Sequence, residues 1–228
     1  MGRAGECALL REAMNDRITK TELKRMFAEA AKQIREHSDT LSHLDCIGGD
    51  GDHGTTMVRA MEKLESAIDP VSPRGTADLL KDAGWAIMGV DGGASSAILG
   101  TFFAGMGDVE LGEEFDCGRL AGSFDAGLRA VANRTKAKPG DKTMMDALVP
   151  AVQALQAAAS AGKTIAGAMD EAASAAHAGA ESTRNLVARY GRAKYLGEKT
   201  LGHPDAGATS IALLFRGFSA ALSPQQEN

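Results

Sequence analysis

Leu23, Met26, Phe27, Ala30, Ala31 and Ile34 recur three and four residues apart, the spacing that gathers side chains on one face of an α-helix. Thr19 followed by Glu22 reads as a capping box, the hydroxyl taking an orphan amide of the first turn and the carboxylate reaching back to the cap. The pattern predicts a helix from about Thr19 to His37. A second stripe, Met57, Met61, Leu64 and Ile68, stops at Asp69-Pro70, and a third runs from Thr76 to Met88 through Leu79, Leu80, Ala83 and Ile87. Gly93 to Ala104 is short and apolar all round, as a buried helix is. Further helices are predicted over Phe115–Asn133, Thr143 to about Ala161 behind a Thr143/Asp146 box, and Ala208–Ser219. Thr164 to about Tyr190 reads as one long or kinked Ala-rich helix.

No segment sustains the period-two alternation of a strand between hairpin turns. No linker divides the chain and no internal repeat is found. The expectation is a single all-α domain of about eight helices over residues 19–222, with an N-terminal extension (1–18) and a tail (223–228).

Composition adds limits more than identity. The 228 residues are 44% hydrophobic but only 4% aromatic, which predicts a core built from Ala, Leu, Ile, Val and the ten Met. Net charge is −5, and no Lys/Arg cluster interrupts it, so a nucleic-acid backbone would be repelled. Cys7, Cys46 and Cys117 show no CxxC spacing, so neither a disulfide framework nor a zinc site is expected. The N-terminus lacks the apolar core of about 7–15 residues of a signal peptide. Glu6 breaks the myristoylation pattern. No apolar run approaches the ~20 residues of a membrane span. A cytoplasmic protein with reduced thiols is the expectation.

The loops carry the chemistry. Leu44–Thr56, LDCIGGDGDHGTT, places Asp45, Asp50 and Asp52 among glycines between two helices. Asp50 and Asp52, two residues apart, point to the same side of an extended loop and repel unless a cation lies between them. An all-oxygen ligand set suits Mg²⁺, which is usually held by a few carboxylates plus substrate phosphates. His53-Gly54-Thr55-Thr56 then opens the next helix, whose free amides and dipole favour an anion. A simple Asp/Gly turn with an N-cap fits the same residues, and His53 suits capping or packing as well as ligand contact. The literal GxGxxG at residues 49–54 is set aside, because the dinucleotide fingerprint needs a preceding strand and here a helix precedes.

Asp91-Gly92-Gly93-Ala94-Ser95-Ser96 offers close backbone approach to a phosphate, or merely a glycine-rich start to a crowded helix. Lys138–Thr143 and the stretch from Gly191 to Ser210 lead into two more helices, with Arg192 able to pair phosphate oxygens through its planar fork. Gly162-Lys163-Thr164 mimics the tail of a P-loop. Ala157 stands where its first glycine belongs and no strand precedes, so it reads as an interhelix turn.

Together LDCIGGDGDHGTTM (44–57), GGASSAILG (92–100), PGDKTMMDAL (139–148) and GRAKYLGEKTLGHPDAGATS (191–210) resemble the nucleotide-binding L subunit of dihydroxyacetone kinases, the DhaL or Dak2 domain family. The likeness covers nearly the whole chain after the first twenty or so residues. It implies a barrel of eight antiparallel helices with ADP or ATP across one end. It implies two Mg²⁺ ions on Asp45, Asp50 and Asp52. Nucleotide contacts are implied for His53, Gly54, Thr55, Thr56, Ala94, Ser95, Gly140, Arg192 and the turn Asp205-Ala206-Gly207. A separate K subunit would hold the ketose, dihydroxyacetone by family default. A phosphotransferase-system M subunit would act where ADP stays bound as a cofactor rather than exchanging with ATP. Two other readings remain open: a regulatory nucleotide-binding module and a fatty-acid-kinase-like domain.

Overall fold

A computed structural model describes residues 16–68 and 71–223. Cys7, most of the N-terminal extension, the Asp69-Pro70 stop and residues 224–228 lie outside the described residues. Among them the elements run β1 (Arg17–Thr19), α1 (Lys20–Glu36), α2 (Ser38–Asp45), α3 (His53–Ala67), α4 (Thr76–Met88) and α5 (Gly93–Met106). There follow β2 (Glu114–Asp116), α6 (Cys117–Arg134), α7 (Met145–Ser160), α8 (Ile165–Ser182) and α9 (Ala206–Leu222), with 3₁₀ turns at Thr183–Asn185 and Arg192–Thr200.

The fold is an all-α barrel. Each long helix packs on the next, α1 on α3, α3 on α4, α4 on α5, and so on to α9, which packs back on α1. That closes an antiparallel ring of eight helices, with the short α2 laid outside the sequence of neighbours against α3 and α9. Each helix turns its apolar stripe inward, so Leu23, Phe27, Met57, Leu80, Phe103, Phe124, Leu148 and Phe215 share one core.

Most of the core is Ala, Leu, Ile, Val and Met, as composition predicts, but its centre is aromatic. Phe27, Phe102, Phe103, Phe124, Phe215 and Phe218 form a connected edge-to-face cluster with centroids 5.4–5.8 Å apart. Scarce aromatics are therefore concentrated where α1, α5, α6 and α9 meet, because a large ring fills the centre of a wide barrel better than any aliphatic side chain. Ala and Gly line the helix contacts around it.

Most helix bounds follow the sequence reading; Thr76–Met88 matches it end to end. Thr19 and Glu22 form the reciprocal capping box on α1. Gly162–Thr164 is the turn between α7 and α8, with the Thr164 hydroxyl capping α8. Four features depart from it. The segment 38–45 is helical, and only its Leu41 is buried, too little apolar periodicity to read. Phe115 and Asp116, placed at the start of a helix, instead join Glu114 in pairing with residues 17–19 as a three-residue antiparallel ladder, too short to alternate. The long helix ends at Ser182, where the chain turns through Thr183–Asn185. At Thr143 the box is one-sided: Asp146 accepts from the Thr143 and Gly140 amides at 2.7 and 2.6 Å, and α7 starts only at Met145. Ile18 is 3% exposed, so the packed structure begins before residue 19.

Among the described residues no helix is long and apolar enough to cross a membrane. Cys46 is exposed and Cys117 buried, and both are free thiols.

Candidate metal and nucleotide site

At one end of the barrel the connections preceding α3, α5, α7 and α9 surround a cleft of about 480 Å³. Asp45, Asp50, Asp52, His53, Thr56, Ala94, Ser95, Arg192, Asp205, Ala206 and Gly207 all line it. Gly54, Thr55 and Gly140 do not. Gly54 is buried against the Ser38 carbonyl, where a Cβ would sit 1.9 Å from the oxygen. Thr55 is exposed and its hydroxyl donates to the Asp52 carbonyl at 2.8 Å. Gly140 directs its N–H at Asp146.

The carboxylates converge. One oxygen from each of Asp45, Asp50 and Asp52 lies within 4.8 Å of the others, with Asp45 half-buried and the other two exposed. Asp45 is the last residue of α2, so a helix end rather than a free loop fixes it. Gly51, at φ +78°, turns the loop back so that its N–H donates to Asp45 Oδ2 at 2.9 Å. Asp50 receives the Arg192 guanidinium from across the cleft, which holds its carboxyl below the usual range. Burial raises Asp52, and the neighbouring Asp50 charge adds to it. The donor set is all oxygen and compact, a chemistry that suits Mg²⁺.

Beside the carboxylates stands the N-terminus of α3, whose first amides have no intrahelical partner. The Thr56 hydroxyl is buried there without a hydrogen-bond partner. The Thr76 hydroxyl, at the start of α4 and outside the cleft lining, is buried and unpaired in the same way. Gly92 presses on Thr56: a Cβ at Gly92 would lie 2.1 Å from Thr56 Cγ2. Gly92 is therefore accounted for by its packing on α3, the crowded-helix reading of this loop.

His53 ties three helices together. The Ser210 hydroxyl donates to the Gly207 carbonyl at 2.8 Å, so it accepts from His53 Nε2–H at 3.3 Å. His53 Nδ1 is then free to accept from the Ser95 hydroxyl at 3.3 Å. Burial pushes the imidazole pKa down, consistent with this neutral tautomer. Asp205 caps α9 by accepting from the Ala208 amide at 2.8 Å, and burial pushes its carboxyl up to about 6.

Among the lining residues not singled out from sequence are Lys142 and Tyr190. Lys142, 7% exposed, reaches the cleft wall from a left-handed backbone conformation. Tyr190 lines the cleft beyond the end of the helix it was assigned to. Neither has a local signature, since both depend on segments distant in sequence.

The chain is similar to known proteins along most of its length. A family model described as the DAK2 domain matches residues 47–220. The ADP-binding subunit DhaL of the PEP-dependent dihydroxyacetone kinase of Escherichia coli K12 is 32% identical over 200 residues, covering 87% of this chain and 95% of its own. The corresponding subunit of kinase 1 from Listeria innocua is 36% identical over 191 residues, covering 84% and 91%. The L-erythrulose kinase of Pectobacterium atrosepticum is 39% identical over 189 residues, 80% of this chain but 32% of its own length. Among solved structures, the dihydroxyacetone kinase of C. freundii in complex with AMP-PNP and Mg²⁺ superposes with a TM-score of 0.66 at 26% identity. The match covers 86% of this chain and 33% of that one, so the chain spans about a third of that kinase.

Proposed function

This chain belongs to the DAK2 domain family, and on that footing we propose that it is the ADP- or ATP-binding subunit of a dihydroxyacetone kinase. The observation that carries the reading is the run of three converging carboxylates into a helix N-terminus at the cleft. Asp45, Asp50 and Asp52 would hold two Mg²⁺ ions. Bound there, Mg²⁺ supplies neutralisation of phosphate charge. The α3 amides and Thr56 would hold phosphate oxygens, and Ser95 and the Ala206–Gly207 amides would flank them. Arg192 would exchange its Asp50 contact for a phosphate. His53, neutral and held by two serines, sets the spacing of α3, α5 and α9 rather than moving a proton.

The acceptor site lies on another chain in this reading. The cleft, about 480 Å³, is of a size for one nucleotide, and the relatives named as ADP-binding subunits are by that name parts of larger kinases. A ketose-binding K subunit is therefore the proposed partner. The relatives that this chain matches along nearly their whole length are named PEP-dependent ADP-binding subunits. That favours ADP retained as a cofactor, with a phosphotransferase-system M subunit as its phosphate source. The free thiols fit a cytoplasmic setting.

Calorimetry on the intact chain tests the core of this proposal. ADP uptake is expected only with Mg²⁺ present and is expected to fall by at least about 100-fold in Asp50→Ala and in Asp52→Ala. Uptake that ignores Mg²⁺, or survives both substitutions, overturns it. ADP carried through gel filtration by freshly purified protein supports the cofactor form; nucleotide-free protein supports ATP exchange.

A further inference from the structure

Asp141, Lys142 and Asp146 are buried charged residues beside the cleft, and their hydrogen bonds go to the protein itself. Asp141 Oδ2 accepts from the Lys138 amide at 3.0 Å, and Asp146 accepts from the Gly140 and Thr143 amides. Between them Lys142 stands at φ +61°, the one non-glycine residue with a positive φ among the described residues. That conformation is disfavoured for any residue with a Cβ and persists only where its surroundings hold it.

The side chain explains the backbone. Lys142 Nζ donates to the Thr183 and His203 carbonyls at 2.6 Å each, reaching segments 41 and 61 residues away. The two segments are themselves joined. Thr183 Oγ1 accepts from the Asp205 amide at 2.8 Å, and the Gly202 amide donates to the Arg184 carbonyl at 2.8 Å. One ammonium therefore pins three chain segments: the loop entering α7, the turn leaving α8, and the turn entering α9. Burial lowers its pKa, opposed by the carboxylates of Asp205 and Asp146.

A buried lysine bracing a loop is not in itself informative. Lys20 does the same with the Ser72 and Arg74 carbonyls at 2.9 Å, from an ordinary helical backbone. Lys142 differs in its strained backbone and in its place, because Lys142–Met145 and His203–Gly207 both line the cleft and are packed on each other, with Gly207 against Met144. Strain is maintained where two adjoining parts of a site must keep a set placement.

We propose that Lys142 is a positioning residue of the nucleotide cleft, its ammonium holding the His203–Gly207 turn against the loop entering α7 so that the first amides of α9 meet the ligand. The inference rests on the nucleotide reading and adds a residue outside the metal and phosphate contacts.

Two variants of the full chain separate positioning from general stabilisation. Lys142→Gly removes the ammonium and relieves the backbone strain; Lys142→Met removes the ammonium and keeps the strain. Mg·ADP dissociation constants measured by calorimetry are expected to rise at least about tenfold in both, although Lys142→Gly unfolds at the higher temperature of the two. Hydrogen exchange without nucleotide is expected to speed up several-fold at amides 203 and 205–208 in Lys142→Gly, with α4 amides unchanged. Unaltered Mg·ADP affinity in Lys142→Gly, or affinity lost only in the less stable variant, overturns the inference while wild-type uptake leaves the nucleotide reading standing. Wild-type protein that takes up no Mg·ADP overturns both.

Discussion

Thr56 shows how a single side chain can separate folding from binding. Its hydroxyl has no partner in the folded chain, so nothing in the fold accounts for an oxygen there. Thr56→Val keeps the shape and removes the oxygen. The variant is expected to unfold at equal or higher denaturant, by up to about 1 kcal/mol, because an unpaired buried hydroxyl has been deleted. Mg·ADP affinity is expected to fall at the same time; a stabilised variant with intact affinity would make the hydroxyl an accident of packing. Asp205 makes a second residue-level case, through pH. Its folded-state pKa of about 6 exceeds the ordinary 3.8, so the folded chain binds this proton more tightly than the unfolded one. The stability it contributes is then fully present below about pH 4 and is lost as pH rises through about 6. Asp205→Asn keeps an oxygen acceptor for the α9 cap. Denaturation curves are expected to separate between pH 4 and pH 6, leaving the variant about 1–3 kcal/mol more stable at pH 7; parallel curves would show that the carboxyl titrates normally. The three metal-type aspartates were readable because two of them sit two residues apart beside glycines. Lys142 was not, since its partners lie 41 and 61 residues away and its backbone angle leaves no trace in sequence.

At the level of helices, legibility followed the size of the buried face. α1 buries eight side chains at regular spacing and carries its own start signal, and it was read to within a residue. α2 buries Leu41 alone and went unread. The end of α8 was missed for another reason: Ala-rich sequence continues to favour helix, but Thr183 is claimed by the Asp205 amide and the chain leaves the helix to build the cleft wall. Tertiary bonds overrode local preference there. The contact that closes the ring is also specific to small residues. Gly217 of α9 lies so close to α1 that a Cβ would stand 2.3 Å from Ala30 Cα. Because the obstacle is backbone, the helices must separate to admit it. Gly217→Ala is expected to lose about 1–3 kcal/mol in urea despite the better helix propensity of alanine. A gain in stability would mean that α1 and α9 do not approach as described.

For the molecule as a whole, helical periodicity identified which face of each helix turns inward but not which helix lies beside it. The expectation of a closed barrel came from the family resemblance, and the packing of α9 back on α1 agrees with it. Closure has a functional consequence, because the cleft is assembled from connections that the barrel alone brings together: residues 44–56, 91–98, 142–145 and 190–207. No pair of neighbouring helices contains it. Ligand binding is therefore coupled to global unfolding rather than to one loop, and a ligand bound only by the folded state stabilises it by RT ln(1 + [L]/Kd). At a hundredfold excess over Kd this is about 2.7 kcal/mol, or roughly 5–10 °C in Tm for a domain of this size. The rise is expected from Mg²⁺ and ADP together. ADP with chelator should give almost none, since three carboxylates facing a polyphosphate repel it without intervening cations. Asp52→Asn should lose most of the shift while folding normally, as its exposed side chain supports no packing. A shift of equal size with chelator present would place the nucleotide elsewhere on the barrel and leave the carboxylate cluster without a role.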